Sequence, residues 1–138
     1  MVVFNRLLEL ELLEATYRLV LVERFGKGEW RRRRIDGRAR RRASRLVRKL
    51  LDEWTRVLRA MNHGIVELHE VVDEIPGVMA RYGFASYDAA HAATAGRMRV
   101  GGMVTLDTGF AAIPSSELEL FVGARQVGRC RSLRAGSH

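Results

Sequence analysis

The sequence predicts an α/β fold in which a short, mostly parallel sheet is flanked by helices. Two observations support this prediction. Stretches with the apolar spacing of helices alternate with short apolar runs of β-prone residues, an order typical of a parallel sheet covered by helices. The chain has 138 residues, of which 47% are hydrophobic, so it can bury a core of its own. We expect one domain over residues 1–125, followed by a basic tail over residues 126–138.

The first half of the chain is predicted to be mainly helical. It opens with the run MVVF, which is typical of a strand, and Asn5 is placed to cap a helix over residues 6–24 that ends at Gly26 and Gly28. From Leu46 to Met61, apolar residues recur at the spacing of one helix face, and Ser44 can cap this second helix.

The second half alternates short strands with short helices. We expect a strand over IVELHEVV and then a helix over residues 73–82, with Pro76 in its first turn and Gly83 at its end. An alanine-rich helix capped by Ser86 comes next. The runs MVTL and LELFV are predicted as a buried strand and a last short strand.

Positive charge is concentrated in one segment. The chain has a net charge of +8 with 24 basic residues, and ten of these lie between residues 27 and 45, against only Glu29 and Asp36. Such a segment favours a polyanionic partner such as nucleic acid or an acidic protein. The alternative is a coding bias, because 22 of the basic residues are arginine.

The chain shows no sign of a membrane span, a signal peptide or a disulfide. Five charged residues interrupt the apolar first 22 positions, and no small-residue cleavage site follows. Cys130 is the single cysteine, so it cannot form an intramolecular disulfide. We expect a cytoplasmic protein that does not enter the membrane.

Three carboxylates are candidates for one metal site. Asp107 follows a predicted strand and Asp88 begins a predicted helix 19 residues earlier, so one helix and one strand can bring both to the same sheet edge. An acid on the first helix could also project there, but spacing alone does not select Glu11 over Glu9 or Glu14. Oxygen ligands without cysteine or clustered histidine suit Mg²⁺ or Mn²⁺ and phosphodiester chemistry.

Each of these residues also has a structural interpretation. Asp88 can complement a helix dipole, Asp107 can form a turn, and the acid on the first helix can face water. Thr105 lies two residues before Asp107 and could hold a water or a carboxylate, or be an ordinary strand threonine. His91 shares the helix face of Asp88, and the core-packed interpretation is favoured over a ligand or a proton shuttle.

Two motifs in the second half resemble the PIN-domain ribonucleases of the VapC toxin type. YGFASYDAAHAATA is similar to the family form "yglsayDAlhlAtA", and GGMVTLDTGFAAIP is similar to "lvTrDrdFa.ip". Upstream, NRLLELELLEA is similar to "S-x-L-x-x-x-E-x-x-x-A", with Asn5 in place of the serine. That alignment selects Glu11, followed by Ala15 four residues later.

The resemblance implies a PIN-like three-layer fold and a metal-dependent endoribonuclease. Glu11, Asp88 and Asp107 would be the catalytic acids that bind Mg²⁺ or Mn²⁺, with Thr105 in support. It also implies a cognate VapB-like antitoxin, and we expect a homodimer. The basic segment, with an RNA-contacting set formed by Arg31, Arg32, Arg33, Arg34, Arg40, Arg41 and Arg42, would be an insertion that contacts phosphates.

The chain departs from the family pattern at its start. The family has an earlier aspartate in a "vDTs"-like motif that closes a first strand, and Met1 already lies in what resembles the second strand. We therefore expect a gap that divides the sheet and leaves backbone groups at its edges unpaired. The alternative function is a truncated or non-catalytic PIN-like protein that binds RNA or a protein partner.

Overall fold

The computed structural model describes residues 1–136 and has an α/β architecture of helices and short parallel sheets. Its helices and strands, in chain order, are β1 (Val2–Asn5), α1 (Leu7–Phe25), α2 (Gly37–Ala60), β2 (His63–Val66), α3 (Ile75–Tyr82), α4 (Ser86–Arg97), β3 (Gly102–Val104), β4 (Glu119–Phe121) and α5 (Ala124–Ala135). Short 3₁₀ turns lie at Arg32–Ile35, Leu68–Glu70 and Thr108–Ala112. None of the helices within residues 1–136 is both long enough and apolar enough to cross a membrane.

The strands form two separate two-stranded sheets. One sheet contains β1 and β2, and the other contains β3 and β4. In the second sheet the strands run parallel, with Gly102 opposite Glu119 and Val104 opposite Phe121. Within residues 1–136, no strand joins the two pairs into one sheet.

The chain divides into two compact units. The first unit contains Met1–Val2 and Arg6–Gly64, and the second contains Val3–Asn5 and the chain from Ile65 onward. The first unit therefore holds α1, α2 and the basic segment between them, whereas the second holds the other helices and the sheet of β3 and β4.

In the first unit, α1 agrees with the prediction and α2 begins earlier than predicted. Gly26 ends α1 with φ of 80°, a backbone angle that glycine adopts without strain. The predicted cap at Ser44 is wrong, because α2 starts at Gly37 and Ser44 lies within it. The true N-cap is Asp36, whose Oδ1 accepts a hydrogen bond of 2.8 Å from the Ala39 N–H. This hydrogen bond is the main cause that lowers the pKa of Asp36.

The predicted cap of α1 is also wrong. Asn5 is the last residue of β1, and Arg6 occupies the N-cap position without a side-chain hydrogen bond. The Asn5 side chain is instead buried in the second unit, where its Nδ2 donates to Thr94 Oγ1 at 3.5 Å. Thr94 in turn donates to the Ala90 carbonyl at 2.8 Å. A buried amide needs such partners because desolvation without them is costly.

The second unit is built around the alanine face of α4. Small side chains let neighbouring elements approach this helix closely, and two phenylalanine rings pack there with centroids 5.4 Å apart, Phe84 and Phe110. The buried members of this cluster are Phe84, Ala89, Ala92, Ala95, Phe110, Ile113 and Leu118. The predicted helix α3 is confirmed, with a proline in its first turn and Gly83 at its end with φ of 72°.

Three expectations about the second unit are corrected. The strand predicted over IVELHEVV ends at Val66, because Glu67 and Glu70 form a capping box around a 3₁₀ turn. The predicted cap at Ser86 is wrong, since Ala85 holds the N-cap position of α4 without a side-chain hydrogen bond. The MVTL strand is short and not buried. Val104 is 85% exposed, whereas Met103 beside it on the strand is partly buried against the core cluster.

Candidate functional site

The first candidate site is the basic surface, which we define as Arg31, Arg32, Arg33, Arg34, Arg40, Arg41 and Arg42. All seven of these residues are exposed. The surrounding segment, residues 27–45, has ten basic and two acidic residues, so its net charge of +8 equals that of the whole chain. The rest of the chain has fourteen of each sign. A general bias towards arginine would not leave the rest of the chain balanced, so the charge belongs to this segment.

Local structure places the basic surface at the beginning of α2. Arg31 to Arg34 lie on and beside the 3₁₀ turn at Arg32–Ile35, and the other three arginines follow the Asp36 cap in the first turns of the helix. The first turn of α2 has no acidic residue. Positive charge near a helix N-terminus is unfavourable for the helix dipole, by up to about 1 kcal/mol per charge at an exposed position. The charges of these arginines therefore gain nothing from the dipole of α2.

Three of the arginines are engaged with acids of the same unit. Both terminal nitrogens of Arg34 donate to the Glu14 carboxylate, at 2.6 and 3.0 Å, and its guanidinium lies over the Tyr17 ring. This paired hydrogen bond lowers the pKa of Glu14. Looser ion pairs of 3.8 Å join Arg32 to Glu29 and Arg42 to Glu23. Arg34 therefore connects its turn to α1, a structural role that sequence spacing did not reveal.

The other four arginines have no acidic partner in the described part of the chain. Arg31, Arg33, Arg40 and Arg41 are all exposed, and no carboxylate within residues 1–136 lies at ion-pair distance from any of them. Two of the four lie over aromatic rings. The guanidinium of Arg31 is 5.4 Å from the Trp30 ring centroid, and that of Arg33 is 5.7 Å from the Phe25 ring centroid. The segment thus presents uncompensated positive charge beside aromatic rings.

The predicted acidic residues lie in the expected elements. Asp88 is in the first turn of α4 and is half-buried, as is His91 on the same helix. Asp107 is exposed in the loop after β3, and its Oδ1 accepts the Gly109 N–H at 2.7 Å. Thr105 Oγ1 accepts the Asp107 N–H at 3.0 Å. In the structure, Asp107 and Thr105 therefore both stabilise the turn that follows β3.

The residues as placed do not fit a bound Mg²⁺ or Mn²⁺ ion. Glu11 lies half-buried on α1, Asp88 lies half-buried on α4, and Asp107 is exposed in the loop after β3. Among the described residues, no three acidic, histidine or cysteine side chains form a group that could hold a metal ion. Such cations require several oxygen ligands converging on one point. The positions of these three acids therefore support no reaction step through a shared metal ion.

A cavity beside Asp107 was missed by the sequence analysis. It has a volume of about 590 Å³, and it is lined by Leu106, Asp107, Thr108, Arg125, Gln126 and Arg129. The last three residues belong to α5, which begins in the predicted domain over residues 1–125 and continues into the predicted basic tail. The spacing of four between the two arginines was the available signal, because it places both on one face once the segment is helical.

Comparison with known proteins found no matching family model, no similar curated protein and no similar solved structure. The relationship to PIN-domain ribonucleases therefore rests on the two motifs around Asp88 and Asp107 and stays a prediction. The α/β architecture is shown by the structure, and the finer PIN-like fold stays a proposal.

Proposed function

We propose that this protein binds single-stranded RNA through its basic surface. The observation that carries the proposal is the set of four exposed arginines without acidic partners among residues 1–136, in the segment that holds the entire net charge of the chain. An ordinary solvated surface mixes charges of both signs. Here the unbalanced charge lies on a capped helix and an ordered turn, so the positions of the arginines are defined before a ligand binds.

Phosphate contacts explain how such a surface gains affinity. Each phosphate that an arginine neutralises releases condensed counterions, and the guanidinium can donate two parallel hydrogen bonds to one phosphate. Trp30 and Phe25 lie beside this charge. Aromatic rings next to a positive groove are typical of proteins that bind single strands, because unpaired bases can stack on them. RNA is preferred to DNA because of the resemblance to PIN-domain ribonucleases.

The experiment measures RNA affinity as a function of salt for two matched variants. In the test variant, Arg31→Gln, Arg40→Gln and Arg41→Gln remove three charges from the basic surface. In the control, Arg48→Gln, Arg56→Gln and Arg59→Gln remove three charges from exposed positions later in α2. The ligand is a labelled single-stranded oligoribonucleotide, with DNA of the same sequence as competitor.

We expect the test variant to bind about tenfold to a hundredfold more weakly at 0.1 M salt, with a slope of log K against log salt that is smaller by about 2. The control should stay within about threefold of the original protein. Equal losses in both variants would mean that the surface has no special role and that only net charge matters. Stronger competition by DNA than by RNA would overturn the choice of RNA.

A second candidate function is hydrolysis of the bound RNA, as in VapC-type toxins. The observation that favours it is the exposed Asp107 carboxylate in a cavity with two arginines, because guanidinium groups that bind a phosphodiester would offset its repulsion by the acid. The test is cleavage of structured RNA with Mg²⁺ or Mn²⁺. Cleavage that persists unchanged in EDTA, or in Asp88→Asn and Asp107→Asn, would contradict an acid-dependent metal nuclease. A VapB-like partner and a homodimer remain predictions of the same resemblance.

A further inference from the structure

The cavity beside Asp107 lies between a loop and a helix of the second unit. The loop after β3 contributes Leu106, Asp107 and Thr108, and α5 contributes three further side chains. Its volume is about 590 Å³, and it is open to solvent, since four of its six lining residues are exposed. All of its lining residues are separate from the basic surface, so the cavity is an independent feature of the chain.

Two arginines on one face of α5 define the chemistry of this cavity. Arg125 and Arg129 are one helical turn apart, and both are exposed. Within residues 1–136, neither guanidinium has a carboxylate at ion-pair distance, although Asp107 lines the same cavity. Two forked donors at this spacing suit a phosphate group, whose oxygens accept several hydrogen bonds at once.

The Asp107 carboxylate in the same lining suits a different group. The Asp107 carboxylate is oriented by the Gly109 N–H at Oδ1, and its other oxygen accepts no hydrogen bond from the described residues. A carboxylate repels phosphate but accepts hydrogen bonds from hydroxyl groups. Leu106 adds an apolar side chain that is 76% exposed. A complementary ligand therefore combines an anionic group, a hydroxyl group and an apolar part.

We propose that this cavity binds a ribose 5′-phosphate unit, with the phosphate on Arg125 and Arg129 and a ribose hydroxyl donating to Asp107. The unit can come from a free 5′-nucleotide or from the 5′ end of an RNA strand. This inference does not rest on RNA binding by the basic surface. It assigns a separate binding role to Arg125, which ends the predicted domain, and to Arg129 in the predicted tail.

The experiment measures binding of 5′-AMP, its 2′,3′-dideoxy analogue and inorganic phosphate by calorimetry, in EDTA. We expect 5′-AMP to bind most tightly. Arg125→Gln and Arg129→Gln should each weaken it about tenfold, because each removes a charge-assisted hydrogen bond. Arg131→Gln is the matched control, since Arg131 is an exposed arginine of the same helix that does not line the cavity. Asp107→Asn should reduce the preference for 5′-AMP over the dideoxy analogue.

Further measurements distinguish a free nucleotide from an RNA 5′ end as the ligand. They also distinguish binding in the cavity from RNA binding by the basic surface. A 5′-phosphorylated oligoribonucleotide that binds more tightly than its 5′-hydroxyl form in the original protein, but not in Arg129→Gln, would identify an RNA end. Equal binding of the two forms, with 5′-AMP still bound, would identify the free nucleotide. The variant with Arg31, Arg40 and Arg41 replaced should bind 5′-AMP normally. The proposal is overturned if 5′-AMP binds no better than phosphate, or if Arg131→Gln weakens it as much as Arg129→Gln does.

Discussion

The two units of this chain are stabilised in different ways. In the first unit, few side chains of α1 and α2 are fully buried, namely Val20, Leu21, Ala39 and Ala43. Many other apolar residues of the two helices are half-buried, and polar contacts also connect the elements of this unit: Glu9 to Trp54, Glu14 to Arg34 and Glu23 to Arg42. The second unit has a cluster of seven buried apolar residues that includes the Phe84 and Phe110 rings.

The two units therefore differ in where the buried apolar core lies and where the net charge lies. An exposed ion pair contributes about 0–1 kcal/mol, whereas a buried phenylalanine contributes about 3–5 kcal/mol relative to alanine. In the second unit, a change to an exposed acid or arginine should therefore alter the free energy of unfolding much less than a change to the buried cluster. The net positive charge of the chain lies in the first unit, in residues 27–45, beside helices that have few fully buried side chains. The acids Glu14, Glu23 and Glu29 fix selected arginines of the basic surface and leave others uncompensated.

The largest expected effect is that of Phe110→Ala. The ring is 5% exposed and packs on Phe84, so its removal leaves a cavity and should lower the free energy of unfolding by about 3–5 kcal/mol. Chemical denaturation measures this value. Phe121→Ala is the control, because Phe121 is 55% exposed, and it should cost about 1 kcal/mol or less. Amide hydrogen exchange sharpens the comparison. Equal acceleration in α1 and α4 would show that the two units unfold together.

A smaller effect should follow from overfilling the face of α4. Ala89 is fully buried in the cluster, and Ala89→Leu adds three carbons where neighbouring side chains are closely packed. We expect a loss of about 1–3 kcal/mol in the free energy of unfolding. Ala80→Leu, at an exposed position of α3, should change it by less than about 0.5 kcal/mol. Equal effects at the two positions would contradict a tightly packed alanine face.

The sequence predicted the elements of both units better than their ends and partners. Periodicity located α1 and much of α2, alanine content located α4, and glycine marked the ends of α1 and α3, because these features depend on local geometry. Caps at Asn5, Ser44 and Ser86 were wrong, since a capping residue type cannot reveal that the backbone is already helical or that the side chain is needed in the core. Ion-pair partners far apart in sequence, such as Glu14 and Arg34, depend on tertiary packing.

The cavity beside Asp107 could not be predicted from the sequence either, because it also depends on tertiary packing. Arg125 and Arg129 share a face only because their segment is helical, and their proximity to Asp107 depends on how α5 follows β4. The motif resemblance identified Glu11, Asp88 and Asp107 one by one, but a motif does not show whether three side chains lie close together. The described residues contain no metal-binding group of three.

The contact between Trp54 and Glu9 tests whether polar contacts stabilise the first unit. Trp54 Nε1 donates to Glu9 Oε1 at 3.2 Å, so Trp54→Phe keeps a ring but removes the donor. We expect a loss of about 0.5–1.5 kcal/mol in the free energy of unfolding, measured by denaturation followed by circular dichroism. The control is Trp54→Phe combined with Glu9→Gln. A double variant that costs as much as the sum of the single variants would show that the two side chains act independently.

The smallest expected effect is the pH dependence contributed by Glu14. Arg34 donates two hydrogen bonds to this carboxylate and lowers its pKa below the ordinary value of 4.5. A lowered pKa in the folded state means that the stabilisation is complete above pH 4.5 and is lost as the pH falls through the lowered value. Because the pair is about half exposed, we expect Glu14→Gln to cost about 0.2–1 kcal/mol at pH 7.

The difference between the original protein and Glu14→Gln should therefore disappear at a pH below the lowered pKa, and it should shrink in high salt at pH 7. Arg34→Gln should produce a similar loss at pH 7, and the double variant should cost little more than either single change. A loss that persists unchanged at low pH would show that Glu14 acts through packing rather than through its charge. In that case the first unit would resemble the second more closely than its polar contacts indicate.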